Sequence, residues 1–282
     1  MTSINQAITA LVQLCLLVFL IASNVHLTPL PNEHHYEAPW LTHNSYNQEL
    51  RSNMYQGDIL LPEHMSTNSK NALKIEAYKW PKGTIPYIFH EKYPQDEREK
   101  VLKAMARFEK ETCIKFVPLK SRVYNTFIEI GSTQKGCYAM IGYHPQKNGQ
   151  GLPVNFQLPE CTKYQGTVEH ELLHVIGILH EQARSDRDQY VKIVWDNIEK
   201  AYWNDFGKAS DREVTAYGVP YDYQSVMHYP AKAFSKNGKD TIVSKKDPKA
   251  VLGQREGATN GDLEKVRKMY CKASTTEENG FD

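Results

Sequence analysis

The run His170-Glu171-Leu172-Leu173-His174-Val175-Ile176-Gly177-Ile178-Leu179-His180 constrains this chain more than any other stretch. Its apolar positions recur at helical spacing, which predicts a helix over 168–179. His170 and His174 then stand four apart, so both imidazoles share one helix face and can grip one ion. Glu171 lies one position along, about 100° round the helix, near that ion but not needed as a ligand. A carboxylate so placed can take a proton from a water that the metal activates. Gly177 falls where such a helix should end, because glycine accepts the left-handed conformation that turns the chain back. The turn can bring His180 to the same ion as a third nitrogen. Three neutral nitrogens and a water make the open coordination of a catalytic zinc, not the closed set of a structural one. An amphipathic core helix with histidines on its wet edge would explain the Leu/Ile/Val stripe. It would not explain three histidines, a glutamate and a glycine in register.

The rest of the chain has the means to bury such a helix. Hydrophobic residues make up 40% of the 282, enough for a real core, and a mean hydropathy of −0.58 excludes a multi-span membrane protein. Lys and Arg number 34 against 33 Asp and Glu, which excludes a broadly basic nucleic-acid binder. Short apolar runs predict strands at 85–89, 114–117 and 126–130. An amphipathic helix is predicted at 95–112, with Val101, Leu102, Met105 and Phe108 on one face. Residues 131–151 are glycine-rich and read as loop. Residues 153–158 alternate apolar and polar, as a half-exposed edge strand would. An extended peptide could join that edge through main-chain hydrogen bonds. After His180 the chain reads as irregular until a final helix marked by Leu263, Val266, Met269 and Tyr270. Strands and one helix first, long loops and a terminal helix later, argue an α+β fold rather than a doubly wound one. His90 and His144 read as surface residues, and nothing requires His228 as a ligand.

The N-terminal end reads differently. Leu14 to Ala22 is one apolar run, too short for the roughly 20 residues that cross a bilayer. It reads as a secretory signal over residues 1–23, with small residues near a cut. Cys15 leaves with it. Cys113, Cys137, Cys161 and Cys271 remain, an even number, as an oxidising compartment requires. Sequence alone leaves their pairing open among three arrangements. Residues 24–70 lack cysteine and show poor periodicity, so an irregular segment is expected there, ending at the composition shift around Asn68-Ser69-Lys70.

Extended by Glu181, the histidine run resembles the astacin motif H-E-x-x-H-x-x-G-x-x-H-E at every fixed position. The block Tyr221-Asp222-Tyr223-Gln224-Ser225-Val226-Met227-His228-Tyr229 resembles a second astacin signature. From about residue 53 to Cys271 the chain is similar to the astacins, a branch of the metzincin zinc endopeptidases. That resemblance implies a metzincin-like catalytic domain. A mixed twisted sheet and helices form its N-terminal half, an irregular C-terminal half ends in a helix, and a cleft lies between them. It implies Met227 in a tight turn beneath the zinc histidines. Tyr229 is implied as a fifth zinc ligand at rest, swinging away to hydrogen-bond the tetrahedral intermediate. Tyr55-Gln56-Gly57-Asp58-Ile59 resembles the family's propeptide block F-x-G-D-I, with Tyr55 in place of phenylalanine. Asp58 would then replace the zinc water and keep the zymogen silent. The resemblance also implies activation by a protease cutting after Lys70. Asn71 becomes the new N-terminus, its ammonium linked to Glu181, and Trp80 becomes the tenth mature residue, where similar enzymes carry tryptophan. It implies the pairs Cys113–Cys271 and Cys137–Cys161.

The expected product is a secreted zinc endopeptidase made as a zymogen, with one catalytic Zn2+. Residues 1–23 are its signal, 24–70 its propeptide with the aspartate switch, and 71–282 one catalytic domain. Its partners are protein or peptide substrates and the activating protease, with no nucleic acid, no membrane after signal removal, and a monomeric state. Glu171 is the expected general base, with Tyr229 donating to the oxyanion. No accessory module is expected after the polar tail 272–282. The alternative is a catalytically inactive binding protein on the same fold. Intact His170, Glu171, His174, His180 and Tyr229 argue against it. A structural zinc protein lacks its fourth Cys or His ligand.

Overall fold

The strand at Thr84–Phe89 lies second from one edge of a mixed sheet that gathers most of the predicted apolar runs. The computed structural model describes residues 48–62, 78–120, 124–146, 149–209 and 216–271. The expected signal, the Lys70–Asn71 processing point and the tail lie outside the described residues. In chain order the sheet strands are β1 (Ile59–Leu60), β2 (Thr84–Phe89), β3 (Lys115–Pro118), β4 (Ile128–Gly131), β5 (Cys137–Met140) and β6 (Leu152–Phe156). Their spatial order is β1-β5-β6-β4-β2-β3, parallel throughout except where β5 meets β6.

Two expectations are corrected by this sheet. The alternating run at 153–158 is not an edge strand: β6 lies between β4 and β5, and all but Pro153 of it is buried. Alternation reports which face is wet, not which strand is outermost. The glycine-rich stretch 131–151 is not all loop, because β5 runs through it with every residue buried. The open side of β5 is the sheet edge, and β1 covers it in parallel register, Ile59 opposite Ala139 and Leu60 opposite Met140.

Helix α1 (Gln95–Glu111) buries Val101, Ala104, Met105 and Phe108, the i, i+3, i+4, i+7 pattern of an amphipathic helix. Asp96 and Glu97 in its first turn and Lys110 in its last complement the helix dipole. Helix α2 (Gln165–Ile176) is buried all round, from Gly166 to Ile176. It ends at Gly177, with φ of 113°, three residues earlier than the apolar stripe suggests. No side-chain-bearing residue adopts that backbone cheaply. The last carbonyls of α2 are all engaged, as a buried helix end requires. Gly177 and Ile178 donate to Leu173, and Gly177 and Gly142 to His174. The Trp80 indole donates to Val175 at 2.7 Å and the Tyr270 hydroxyl to Ile176 at 2.6 Å. Trp80 and the terminal helix α3 (Asn260–Tyr270) thereby fix the active helix from its far end.

Beyond His180 the chain is mostly short 3-10 turns, with a two-stranded antiparallel sheet of β7 (Val191–Ile193) and β8 (Ile242–Ser244). A second apolar cluster forms there around Phe206, Tyr221, Tyr229 and Phe234, separate from the core between sheet and helices. Leu50 of the expected propeptide belongs to it. Among the described residues no helix is long and apolar enough to cross a membrane.

The disulfides are Cys113–Cys271 and Cys137–Cys161. The first ties the end of α1 to the end of α3 across 158 residues. Serine at both positions should lower stability by about 4–5 kcal/mol on the chain-entropy model. The measurement is the urea midpoint against wild type without reductant. An unchanged midpoint would mean that packing alone holds the terminal helix.

Candidate active site

Helix α2 and the turn that follows it aim three imidazoles at one carboxylate. His170 Nε2 lies 2.9 Å from Asp58 Oδ2, while His174 and His180 Nε2 each lie 3.3 Å from Oδ1. All four side chains are buried, and their nearest ligand atoms lie within 4.8 Å of one another. Each ring is oriented through its other nitrogen. His170 Nδ1 donates to the Val226 carbonyl, His174 Nδ1 to Ile178, and His180 Nδ1 to the Gln56 side-chain oxygen. Such bonds fix the tautomer that leaves Nε2 free to bind a metal.

Burial pushes the His170 imidazole down to about 3, so that ring is neutral, and it lowers His180 as well. Burial alone would raise Asp58, but the charge of His180 and His174 and the hydrogen bond from His170 hold it well below the usual carboxylate range. Imidazole nitrogens and a carboxylate oxygen converging on one point are a donor set that suits a zinc ion. Two of the converging atoms, Asp58 Oδ1 and His174 Nε2, are buried without a hydrogen-bond partner among the described residues. A cation held by them would satisfy both. The residues therefore fit zinc.

Glu171 is fully buried beside this group, and neither carboxylate oxygen has a hydrogen-bond partner among the described residues. Burial first, then the charges of Asp58 and Glu49, raise it well above the ordinary glutamate range. Met227 lies buried in the main core, in keeping with a packing role. The turn that carries it is held from α3: Asp262 accepts from the Ser225 hydroxyl at 2.5 Å and the Val226 N–H at 3.0 Å. The same Asp262 completes the capping box of α3 with Thr259. So the helix cap positions Val226, and Val226 orients His170.

The segment 48–62 fills the cleft over this group. Gly57, at φ of 85°, passes so close that an added Cβ would stand 3.3 Å from the Phe234 ring. That turn delivers Asp58. Just before it, Gln56 is held at three points. Its N–H donates to Asp205 Oδ1 at 2.9 Å, its carbonyl accepts from the Tyr229 hydroxyl at 2.5 Å, and its side chain meets His180. Burial, aided by Asp58, pushes Asp205 up to about 7 against the pull of the Gln56 N–H. Glu49 forms a fully buried ion pair with Arg255, whose Nη1 also donates to Val226 at 2.8 Å.

Glu181 sits behind the histidines, accepting from Arg184 at 3.0 Å, from the Asp222 N–H at 2.9 Å and from Lys265. Asn71 lies outside the described residues. His228 points away from the group, between the Tyr221 hydroxyl and the Tyr229 carbonyl. His90 is exposed, in line with its sequence context. His144 is not: it is buried, its Nε2 donating to Ile141 and its ring tilted against Tyr78. Gln56, Asp205, Glu49 and Arg255 are functional neighbours that sequence reasoning misses. Gln56 has a signal, its place two residues before Asp58; the others have none.

A family model described as Astacin, a peptidase family, matches residues 72–271. Low choriolytic enzyme of Oryzias latipes is 36% identical over 233 residues, 79% of this chain and 80% of that protein. Meprin A subunit alpha of Rattus norvegicus is 36% identical over 220 residues, 77% of this chain and 27% of that one. Among solved structures, high choriolytic enzyme 1, a hatching enzyme zinc-protease from Oryzias latipes, superposes with a TM-score of 0.61 at 33% identity. That match covers 73% of this chain and 98% of the other.

Proposed function

Because the chain belongs to the astacin family of zinc metalloendopeptidases, we propose that it is a secreted zymogen whose general base is Glu171. Residues 1–23 are its signal, 24–70 its propeptide and 71–282 its catalytic domain. The observation that carries this reading is the Asp58 carboxylate facing all three histidine Nε2 atoms.

His170, His174 and His180 would hold one zinc ion, with Tyr229 as a further ligand at rest. The ion supplies Lewis-acid chemistry, polarising the scissile carbonyl and lowering the pKa of a water. Glu171 accepts that water's proton on its unpartnered carboxylate and passes it to the leaving amine. Two of the three causes that hold its proton affinity up, Asp58 and Glu49, depart with the propeptide. The Tyr229 hydroxyl, which here donates to a peptide carbonyl of the propeptide, donates to the scissile carbonyl oxygen as charge develops there. Strand β5, uncovered when β1 leaves, is the edge that an extended protein substrate joins.

Activation cuts after Lys70, and the Asn71 ammonium joins Glu181. Lys265 stands 3.8 Å from Asp262, so it has a second carboxylate to turn to when the ammonium arrives. The mature enzyme acts as a monomer free of membrane.

The test is chelation. The chain cut after Lys70 should degrade a denatured protein, lose that activity in a zinc chelator, and regain it with one zinc per chain. Absence of chelator-sensitive proteolysis would overturn the reading in favour of an inactive binding protein.

A further inference from the structure

The three imidazoles of the site are not oriented alike. His170 and His174 stand on α2, and their Nδ1 atoms donate to the Val226 and Ile178 carbonyls, both in the expected catalytic domain. His180 stands beyond the helix, on extended backbone at φ of −62° and ψ of 145°. Its Nδ1 lies 3.0 Å from the side-chain oxygen of Gln56, in the expected propeptide. One ring of the three thus takes its orienting partner from the segment that activation would remove.

The amide of Gln56 is turned to suit that ring. A histidine that offers Nε2 to a metal carries its proton on Nδ1, so it needs an acceptor there. The Gln56 amide nitrogen donates to the Tyr55 hydroxyl at 3.3 Å, which leaves the amide oxygen for His180. Tyr55 is the residue that stands in place of the phenylalanine of the family block, and its hydroxyl is what phenylalanine lacks. Gln56 is buried, and its main chain is held separately, the N–H by Asp205 and the carbonyl by Tyr229. Two residues on, Asp58 Oδ1 lies 3.3 Å from Nε2 of the same ring. Gln56 and Asp58 therefore address opposite nitrogens of His180.

On the zymogen reading above, we propose that Gln56 is a metal-positioning residue. It orients His180 as a zinc ligand in the uncut chain, so the propeptide strengthens the hold on zinc as well as covering it. A partner at the far nitrogen of a ligating histidine is typically worth about 10- to 100-fold in metal affinity. Release of the propeptide leaves His180 to solvent for its orientation, whereas His170 and His174 keep their carbonyls.

The experiment measures zinc affinity of the full uncut chain by competition with a chelator, for wild type, Gln56→Leu and Gln56→Glu. Leucine removes the acceptor; glutamate keeps one at the same reach. Gln56→Leu should bind zinc about 10- to 100-fold more weakly than wild type, and Gln56→Glu at least as tightly as wild type. A side chain that mattered only for packing would rank the two the other way, because glutamate buries a charge and leucine does not. Docking of the propeptide is read on the same samples by hydrogen exchange at the Ala139 and Ile141 amides, which donate to the Asp58 and Leu60 carbonyls. Their protection should be alike in all three chains. Gln56→Leu as tight as wild type, a loss in Gln56→Glu as large as in Gln56→Leu, or a loss of affinity that accompanies lost amide protection would each overturn the proposal. A wild-type chain that takes up no zinc would instead bring down the metal reading on which it rests.

Discussion

Glu171→Gln in the activated chain should retain its zinc and lose turnover by about 10²- to 10⁴-fold, the usual worth of a positioned general base. The substitution keeps the size of the side chain and removes its basicity. It should not disturb the fold, because neither Glu171 oxygen holds any hydrogen bond among the described residues that a glutamine would break. Nor should it disturb the metal, since the three Nε2 atoms are oriented by Val226, Ile178 and a side-chain oxygen, not by Glu171. A buried carboxylate without partners has no structural reason to be there. Glutamine would be the cheaper occupant of an apolar site, so stability should stay equal or rise slightly. Kinetics and zinc content measured on one sample decide it. A glutamine enzyme within tenfold of wild type would remove Glu171 from the chemistry, and one that lost zinc would make its role structural.

The part of this site that can be read from residues alone is the part built on a local period. His170, Glu171 and His174 share a helix, and the backbone freedom of Gly177 is written in one letter. Once the helix and its stop are placed, His180 follows. What cannot be read depends on pairing across the chain. Glu49 meets Arg255 over 206 positions, and Asp205 meets Gln56 over 149. No spacing rule connects such partners. The edge of the sheet eludes the sequence for a related reason: alternation in 153–158 gives faces, whereas strand order is set by which neighbours pair. Strand β5 escapes notice because its four residues stand in a glycine-rich stretch too short to show a period. His144 resembles a surface residue because no pattern marks a single histidine whose polarity is met by the Ile141 carbonyl.

On the zymogen reading proposed above, the same distant pairings decide how latency should fail. Asp58→Ala in the uncut chain removes the carboxylate from the three histidines, yet the propeptide keeps its other holds. Strand β1 still covers β5, Gln56 still bridges Asp205 and Tyr229, and Glu49 still neutralises Arg255. The expected result is slow hydrolysis of short peptides, at least roughly tenfold below the cut enzyme, since these remaining holds must open first. Glu49→Ala acts on a different lock. Breaking a buried ion pair by removing one partner leaves an uncompensated charge, at a cost of about 3–5 kcal/mol. Here the stranded group is Arg255, and the cost falls only on the docked propeptide, because undocking lets water reach the guanidinium. The open population should therefore rise by roughly 10²- to 10³-fold, since about 1.4 kcal/mol is a factor of ten. Combined, Glu49→Ala and Asp58→Ala should bring the uncut chain close to the rate of the cut one. Full activity from Asp58→Ala alone would show that the metal-facing carboxylate is the whole of the latency. A silent double variant would show that residues outside 48–62 keep the cleft closed.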